Sequence, residues 1–119
     1  MAYVLNLPTF SDHRGSLTVA ENFLPFEIKR FYYIYNAIGA RGGHRHKRTI
    51  QALISLGGSC DVFVHNGELD EVFLLDSADK CLILEPHDWH SMDNFSENST
   101  LLVLASELYD ANDYIDEKY

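Results

Sequence analysis

Arg41-Gly-Gly-His-Arg-His-Lys-Arg-Thr-Ile-Gln51 is the stretch whose reading decides the fold of this chain. Side chains alternate along a β-strand, so a strand here points His44 and His46 to one face and Arg45 and Lys47 to the other. The inner face of a half-buried strand ordinarily carries apolar residues. Here it carries two titratable rings, in a chain with only six histidines. A pair of inward imidazoles is harder to satisfy with hydrogen bonds than a single one, so the pattern points to chemistry ahead of packing.

Outward from this stretch, short apolar runs alternate with turn residues, the pattern of an all-β sandwich or barrel. Strands are expected near Tyr3 to Asn6, Ser16 to Ala20, Ile28 to Tyr35, His44 to Leu56, Cys60 to His65, Glu71 to Leu75, Cys81 to Leu84 and Thr100 to Ala105. Breakers fall between them at Asp12 to Gly15, Gly39 to Gly43, Gly57-Gly58, Asn66-Gly67, Asp76-Ser77 and Pro86. Asn66-Gly67, between Val64 and Leu69, is the strongest hairpin signal. Ser106 to Tyr119 is expected to form an acidic turn or a short helix. In the strand expected at Ile28 to Tyr35, one face carries Phe31, Tyr33 and Tyr35 and the other Arg30, Tyr32 and Ile34. Neither is purely apolar, so the tyrosines suit either a core strand with hydroxyls at the rim or the wall of a ligand pocket.

The 119 residues, 46% of them hydrophobic, suffice for one compact domain, 1–119, with a real core. No apolar run approaches the roughly 18 residues needed to cross a bilayer. The first residues also lack the pattern of a signal peptide, so a cytoplasmic protein is expected. Cys60 and Cys81 each sit in an apolar run, far from any CxxC spacing, and read as packed core thiols. The net charge of −9 repels polyanions and disfavours nucleic acid and anionic membranes as partners. Six of the nine basic residues nevertheless fall between Lys29 and Arg48, which permits a local cationic pocket for a small phosphorylated ligand.

The order Gly39, His44-x-His46, Gln51, Gly58, followed by Pro86-His87-Asp88-Trp89-His90 and Asn94, resembles the two motifs of the cupin superfamily. The resemblance implies a double-stranded β-helix, or jelly roll. In metal-binding cupins the HxH pair, a Glu and a later His hold one divalent ion. Here Gln51 stands where the Glu belongs, which leaves His44, His46 and His90 without an anionic partner and weakens the site for hard or redox metals. A narrower resemblance covers nearly the whole chain. Asp12-His-Arg-Gly-Ser-Leu, Ile28-Lys-Arg-Phe-Tyr-Tyr-Ile-Tyr, Arg41-Gly-Gly-His-Arg-His-Lys, Pro86-His-Asp-Trp-His and Leu104-Ala-Ser-Glu-Leu-Tyr-Asp-Ala-Asn-Asp-Tyr-Ile look like the dTDP-sugar 3,4-ketoisomerases of the WxcM-like cupin group.

That resemblance implies isomerisation of dTDP-4-keto-6-deoxyglucose to a 3-keto sugar without metal or other cofactor, in deoxysugar biosynthesis for surface polysaccharides or antibiotics. It also implies a homodimer that exchanges an N-terminal strand. His46 takes the place of the principal base and His44 that of a supporting acid/base. Arg41 and Arg14 match phosphate- and nucleotide-facing positions, and Arg30 is a third candidate cation. Tyr33, Tyr35, Gln51, Trp89 and His90 are the remaining candidate substrate contacts, with Asn94 reserved for a turn. Arg45, Lys47 and Arg48 are expected on the outer face or at a subunit contact. The residues around His13-Arg14 are candidates for setting the face on which the C4 proton returns, and so for gluco or galacto products. The chemistry itself suits imidazole, because a proton must leave C3 and another return at C4 near neutral pH. Two alternatives compete with this reading: a metal-dependent cupin enzyme, and a non-catalytic nucleotide-sugar-binding module.

Overall fold

Strands account for most of the computed structural model, which describes residues 1–119. They are β1 (Tyr3–Asn6), β2 (Thr9–Asp12), β3 (Gly15–Thr18), β4 (Arg30–Tyr35), β5 (Arg41–His46), β6 (Gln51–Gly57), β7 (Cys60–His65), β8 (Asp70–Leu75), β9 (Lys80–Leu84), β10 (Trp89–Asp93), β11 (Thr100–Ala105) and β12 (Tyr114–Ile115). One sheet has the order β1-β9-β6-β11-β4 and the other β12-β5-β10-β7-β8. Every pairing is antiparallel. This is the all-β jelly-roll architecture expected of a cupin. The β2–β3 hairpin pairs only with itself. No helix is long and apolar enough to cross a membrane.

Alternation becomes burial where the two sheets face each other. In β7, Cys60, Val62 and Val64 are buried while Asp61, Phe63 and His65 are half-buried on the other side. These inward residues join Leu53, Leu75, Leu82, Leu84, Met92, Leu101 and Val103 in one cluster between the sheets. Each such leucine, fully withdrawn from water, contributes on the order of 2 kcal/mol. β6 is buried on both faces from Gln51 to Ser55. Its second face is covered by Leu7, Leu24 and Phe26, which pack over Ala52, Ile54, Cys81, Ile83 and Leu104. Cys60 and Cys81 are buried free thiols, as expected, and burial raises both to about 11.

The expected single strand from His44 to Leu56 is two strands in different sheets. β5 ends at His46, the chain turns a corner through Lys47–Ile50, and β6 begins in the opposite sheet. No Gly or Pro marks that corner. It is held from a distance by Asp113, whose carboxylate accepts hydrogen bonds from Arg48 N at 2.7 Å and Lys47 N at 3.2 Å and from the Thr49 hydroxyl. The breaker expected at Gly39 to Gly43 also ends early, because β5 already starts at Arg41. β2, β10 and β12 are additional strands. The expected C-terminal turn is a single 3-10 turn, Ala111–Asp113, capped by the Asp110 side chain accepting from Asn112 N.

Candidate active site

β5 and β10 run antiparallel with His44 directly opposite His90, and paired residues project to the same face. His46 follows His44 at strand period, so three imidazoles gather between the sheets. The ring centroids of His44 lie 5.1 Å from His46 and 5.2 Å from His90, and those of His46 and His90 are 6.0 Å apart. His46 and His90 are 3% and 2% exposed, so water contributes little to holding a charge on either. Burial, with the charge of His44 adding to it, lowers His46 to about 4. Burial lowers His90 to about 3, and it lowers His44 as well. All three rings are therefore neutral at pH 7 and able to accept a proton. His90 Nδ1 lies 3.1 Å from the Asp88 carbonyl, which can only accept, so this nitrogen carries the ring proton. His46 Nε2 is buried with no partner.

Arg41 reaches the same face by an irregularity. It stands three residues before His44, an odd spacing that in a regular strand would send the two to opposite sides. The pairing shifts between His90 and Ser91: His44 opposes His90, but Gly42 opposes Ser91 and Arg41 opposes Met92. Gly43 is the extra residue of this bulge, with φ of 86°, and Gly42 has φ of 85°. Because Met92 is buried inward, its partner Arg41 lies on the inward face at the rim. On β4, Tyr32 and Ile34 point inward. Buried Gln51 donates from Nε2 to the Tyr32 hydroxyl at 3.2 Å. The Arg30 guanidinium stands 5.3 Å over the Tyr32 ring and 5.8 Å over Tyr109, and its Nε is buried without a partner. Burial raises the Tyr32 phenol, with Arg30 and Arg41 pulling against it. Tyr114 closes the wall, its centroid 4.7 Å from both His44 and His46.

Four expected contacts lie elsewhere. Tyr33 and Tyr35 are 57% and 60% exposed on the outer face of β4, side by side at 5.9 Å, in a shallow depression with Asn98 and Thr100. The inner face is the one carrying Ile34, because it meets the intersheet core. Trp89 neighbours inward His90 in β10 and so faces out, where its Nε1 donates to the Asp116 carbonyl at 3.1 Å and Lys118 sits 5.1 Å over its ring. Arg14 belongs to the projecting hairpin and pairs with its own neighbour, Nη2 to Asp12 Oδ2 at 2.7 Å. Gln51, another expected contact, is buried and donates to Tyr32. The outward assignments stand: Arg45 lies 4.2 Å over the Tyr119 ring, and Arg48 pairs with Asp110. Asn94, with φ of 54°, follows the end of β10, outside a turn, and donates to Asp61 at 2.8 Å.

The family described as FdtA, WxcM-like, C-terminal matches residues 2–119 of this sequence. The chain belongs to the WxcM-like family. It is 42% identical over 116 residues, 94% of this chain and 84% of the relative, to the TDP-4-oxo-6-deoxy-alpha-D-glucose-3,4-oxoisomerase of Aneurinibacillus thermoaerophilus. Among solved structures it is similar to the WlaRB TDP-quinovose 3,4-ketoisomerase of Campylobacter jejuni, at 43% identity and a TM-score of 0.92 over 98% of this chain and 92% of that one. It is also similar to a histidine-to-asparagine variant of the 3,4-ketoisomerase QdtA from Thermoanaerobacterium thermosaccharolyticum in complex with TDP-4-keto-6-deoxyglucose. That likeness has 35% identity and a TM-score of 0.94 over 98% of this chain and 87% of that one. Membership makes the chain an enzyme of the isomerase class.

Metal-binding cupins raise the question whether this WxcM-like site suits an ion. Its side chains do not fit one. No three His, Cys, Asp or Glu groups converge as ligands would, and Gln51, at the acidic ligand's position, brings only a neutral amide that donates from Nε2 to Tyr32. Three residues of the WxcM-like site escaped the sequence reading. Tyr32 was marked by Ile34, the one aliphatic residue in β4, which identifies the inward face. Tyr109 and Tyr114 lie within the Leu104 to Ile115 block that carries the resemblance, but that segment has no periodicity to point them into the site.

Proposed function

We propose that this protein is a metal-independent sugar-nucleotide 3,4-ketoisomerase, acting on dTDP-4-keto-6-deoxyglucose within the one cupin domain, residues 1–119. The observation that carries the reading is the buried, partnerless Nε2 of His46, on a neutral ring with two further imidazoles around it. A neutral imidazole shielded from water is a ready base. His46 takes the proton from C3, the electrons of that C–H bond form the enediol, and the C4 carbonyl oxygen gains a proton. The enediol then collapses with the ketone at C3, as His46 returns a proton to C4. His44 moves the hydroxyl proton from O3 to O4. His90 and Tyr32 line the sugar, and Arg41 and Arg30 supply cations for the diphosphate.

Two further features belong to the proposal. The projecting hairpin exposes Phe10 and Leu17 at 65% and 59%, and the outer face of β4 exposes Phe31, Tyr33 and Tyr35. Such surfaces support a homodimer with exchanged N-terminal strands, in which Arg14 serves the partner's site. The setting is cytoplasmic deoxysugar biosynthesis.

The test is to incubate the protein with dTDP-4-keto-6-deoxyglucose and chelator in deuterated water and follow the sugar by NMR. Deuterium should enter the carbon skeleton as the 3-keto product forms, and a 3-aminotransferase trap then assigns C4 as gluco or galacto. His46→Asn should lower turnover about 10²–10⁴-fold, the usual worth of a positioned general base. Binding of dTDP with neither 3-keto product nor exchange would favour the non-catalytic module, and activity restored only by a divalent ion would favour the metal enzyme.

A further inference from the structure

The rings of His44 and His46 lack the hydrogen bond that fixes His90. His90 is tied through Nδ1 to the Asp88 carbonyl, whereas His46 Nε2 has no partner and no protein group bonds the ring of His44. Their orientations rest on packing. One ring touches both: Tyr114, with its centroid 4.7 Å from each, nearer than either histidine is to the other or to His90. It meets them at 62° and 64°, edge to face, an arrangement that resists ring rotation.

Tyr114 itself sits on a strand of two residues at the margin of its sheet, paired Tyr114 to His46 and Ile115 to Arg45. So short an edge strand does not hold itself in place. The residue before it does. Asp113 is 1% exposed, and its carboxylate takes the Lys47 and Arg48 backbone N–H groups and the Thr49 hydroxyl, while its own carbonyl accepts from Lys47 N at 2.9 Å. Lys47 immediately follows His46. One buried carboxylate thus fastens the C-terminal segment to the corner that ends the strand of both histidines. Burial pushes that carboxyl up, but bonds from Thr49 and the Arg48 N–H outweigh it and hold the group ionised.

We infer that Tyr114 and Asp113 are positioning residues for the proton-transfer pair: Tyr114 sets the rings of His44 and His46, and Asp113 anchors Tyr114 against them. The inference rests on the proposed roles of the two histidines. A reacting group displaced by about 1 Å costs on the order of 10²-fold in rate. The effect falls on turnover, with substrate affinity left to the cations.

The test uses the full chain with Tyr114→Ala, Tyr114→Leu, Tyr114→Phe and Asp113→Asn, and two readouts. The first is deuterium entry into dTDP-4-keto-6-deoxyglucose, resolved into kcat and KM. The second is the ring nitrogen spectrum of the histidines in ligand-free protein, where His90, fixed by its own bond, is the internal reference. Tyr114→Ala and Tyr114→Leu should lower kcat about 10²-fold with KM within about threefold. Their His44 and His46 ring signals should shift or broaden while His90 stays. Tyr114→Phe, which keeps the ring, should recover most of the loss, and Asp113→Asn should lower kcat about tenfold with the same two signals affected. Unchanged His44 and His46 signals in Tyr114→Leu, a loss confined to KM, or equal disturbance of all three histidines would each overturn the inference. If the wild type turned over no keto sugar, the proposed function would fail, and the ligand-free spectra would still decide the positioning.

Discussion

Acidification should weaken this protein well before most of its carboxylates titrate. In the unfolded chain a histidine takes up its proton near pH 6.5, but in the folded protein His46 waits until about 4 and His90 until about 3. A folded value below the unfolded one means that the stabilisation is complete above pH 6.5 and drains away as the pH falls toward the folded values. At pH 5 the unfolded imidazoles are almost fully protonated while the buried ones are almost fully neutral. Each then costs about 2 kcal/mol relative to pH 7.5, about 4 kcal/mol for the two. His44 shifts in the same direction and adds to the loss. Asp88 acts in the opposite sense, because burial raises its carboxyl and protonation relieves it. With a slope of about 1.5 kcal/mol per molar urea, the unfolding midpoint should drop by about 2.5 M between pH 7.5 and 5 at fixed protein concentration. In His46→Asn, which removes one of the two groups, the drop should shrink to about half. A wild-type midpoint that moved by less than about 0.5 M would show that these rings are not buried neutral in the folded state.

Gly58→Ala should lower stability by about 2–4 kcal/mol in a thermal melt: its φ is +70°, and the new Cβ would lie 2.8 Å from Ser99 Cβ and 2.9 Å from Ser99 Cα. Tyr32→Phe strands the buried Gln51 Nε2 donor, so urea unfolding should show a loss of about 1–3 kcal/mol. Arg41→Ala should raise KM for the nucleotide sugar about tenfold with kcat nearly kept, since a diphosphate contact is made alike in ground and transition states; steady-state kinetics checks it.

The sequence disclosed the site where side-chain alternation ran undisturbed and hid it elsewhere. His44 and His46 share a face because they stand two positions apart in a stretch of regular strand, and the Asn66-Gly67 turn stands between β7 and β8 for reasons local to those residues. The same rule applied to β10 would have turned Trp89 outward, since it neighbours a histidine that points in. β4 misled because aromatic rings occupy both of its faces, and only Ile34 distinguishes them. The corner at Lys47–Ile50 could not be read locally: what bends it is a carboxylate more than sixty residues away, with the Arg48 N–H to Asp113 contact spanning |i−j| of 65. Tyr114 was hidden for the same reason, because its place depends on that anchor and not on the two-residue strand it occupies.

The bulge at Gly42-Gly43 makes count along the chain a poor ruler for this pocket. Straightening it with every residue kept, as a β-branched side chain at Gly43 (φ 86°) would favour, would restore a regular ladder and swing the guanidinium of Arg41 to the outside while leaving both imidazoles where they are. On the proposed roles of these residues the chain would keep its proton-transfer pair and lose a cation for phosphate, so catalysis and capture separate at a single peptide unit. Comparisons between relatives should therefore ask whether this bulge is present before they count residues from the arginine to the first histidine.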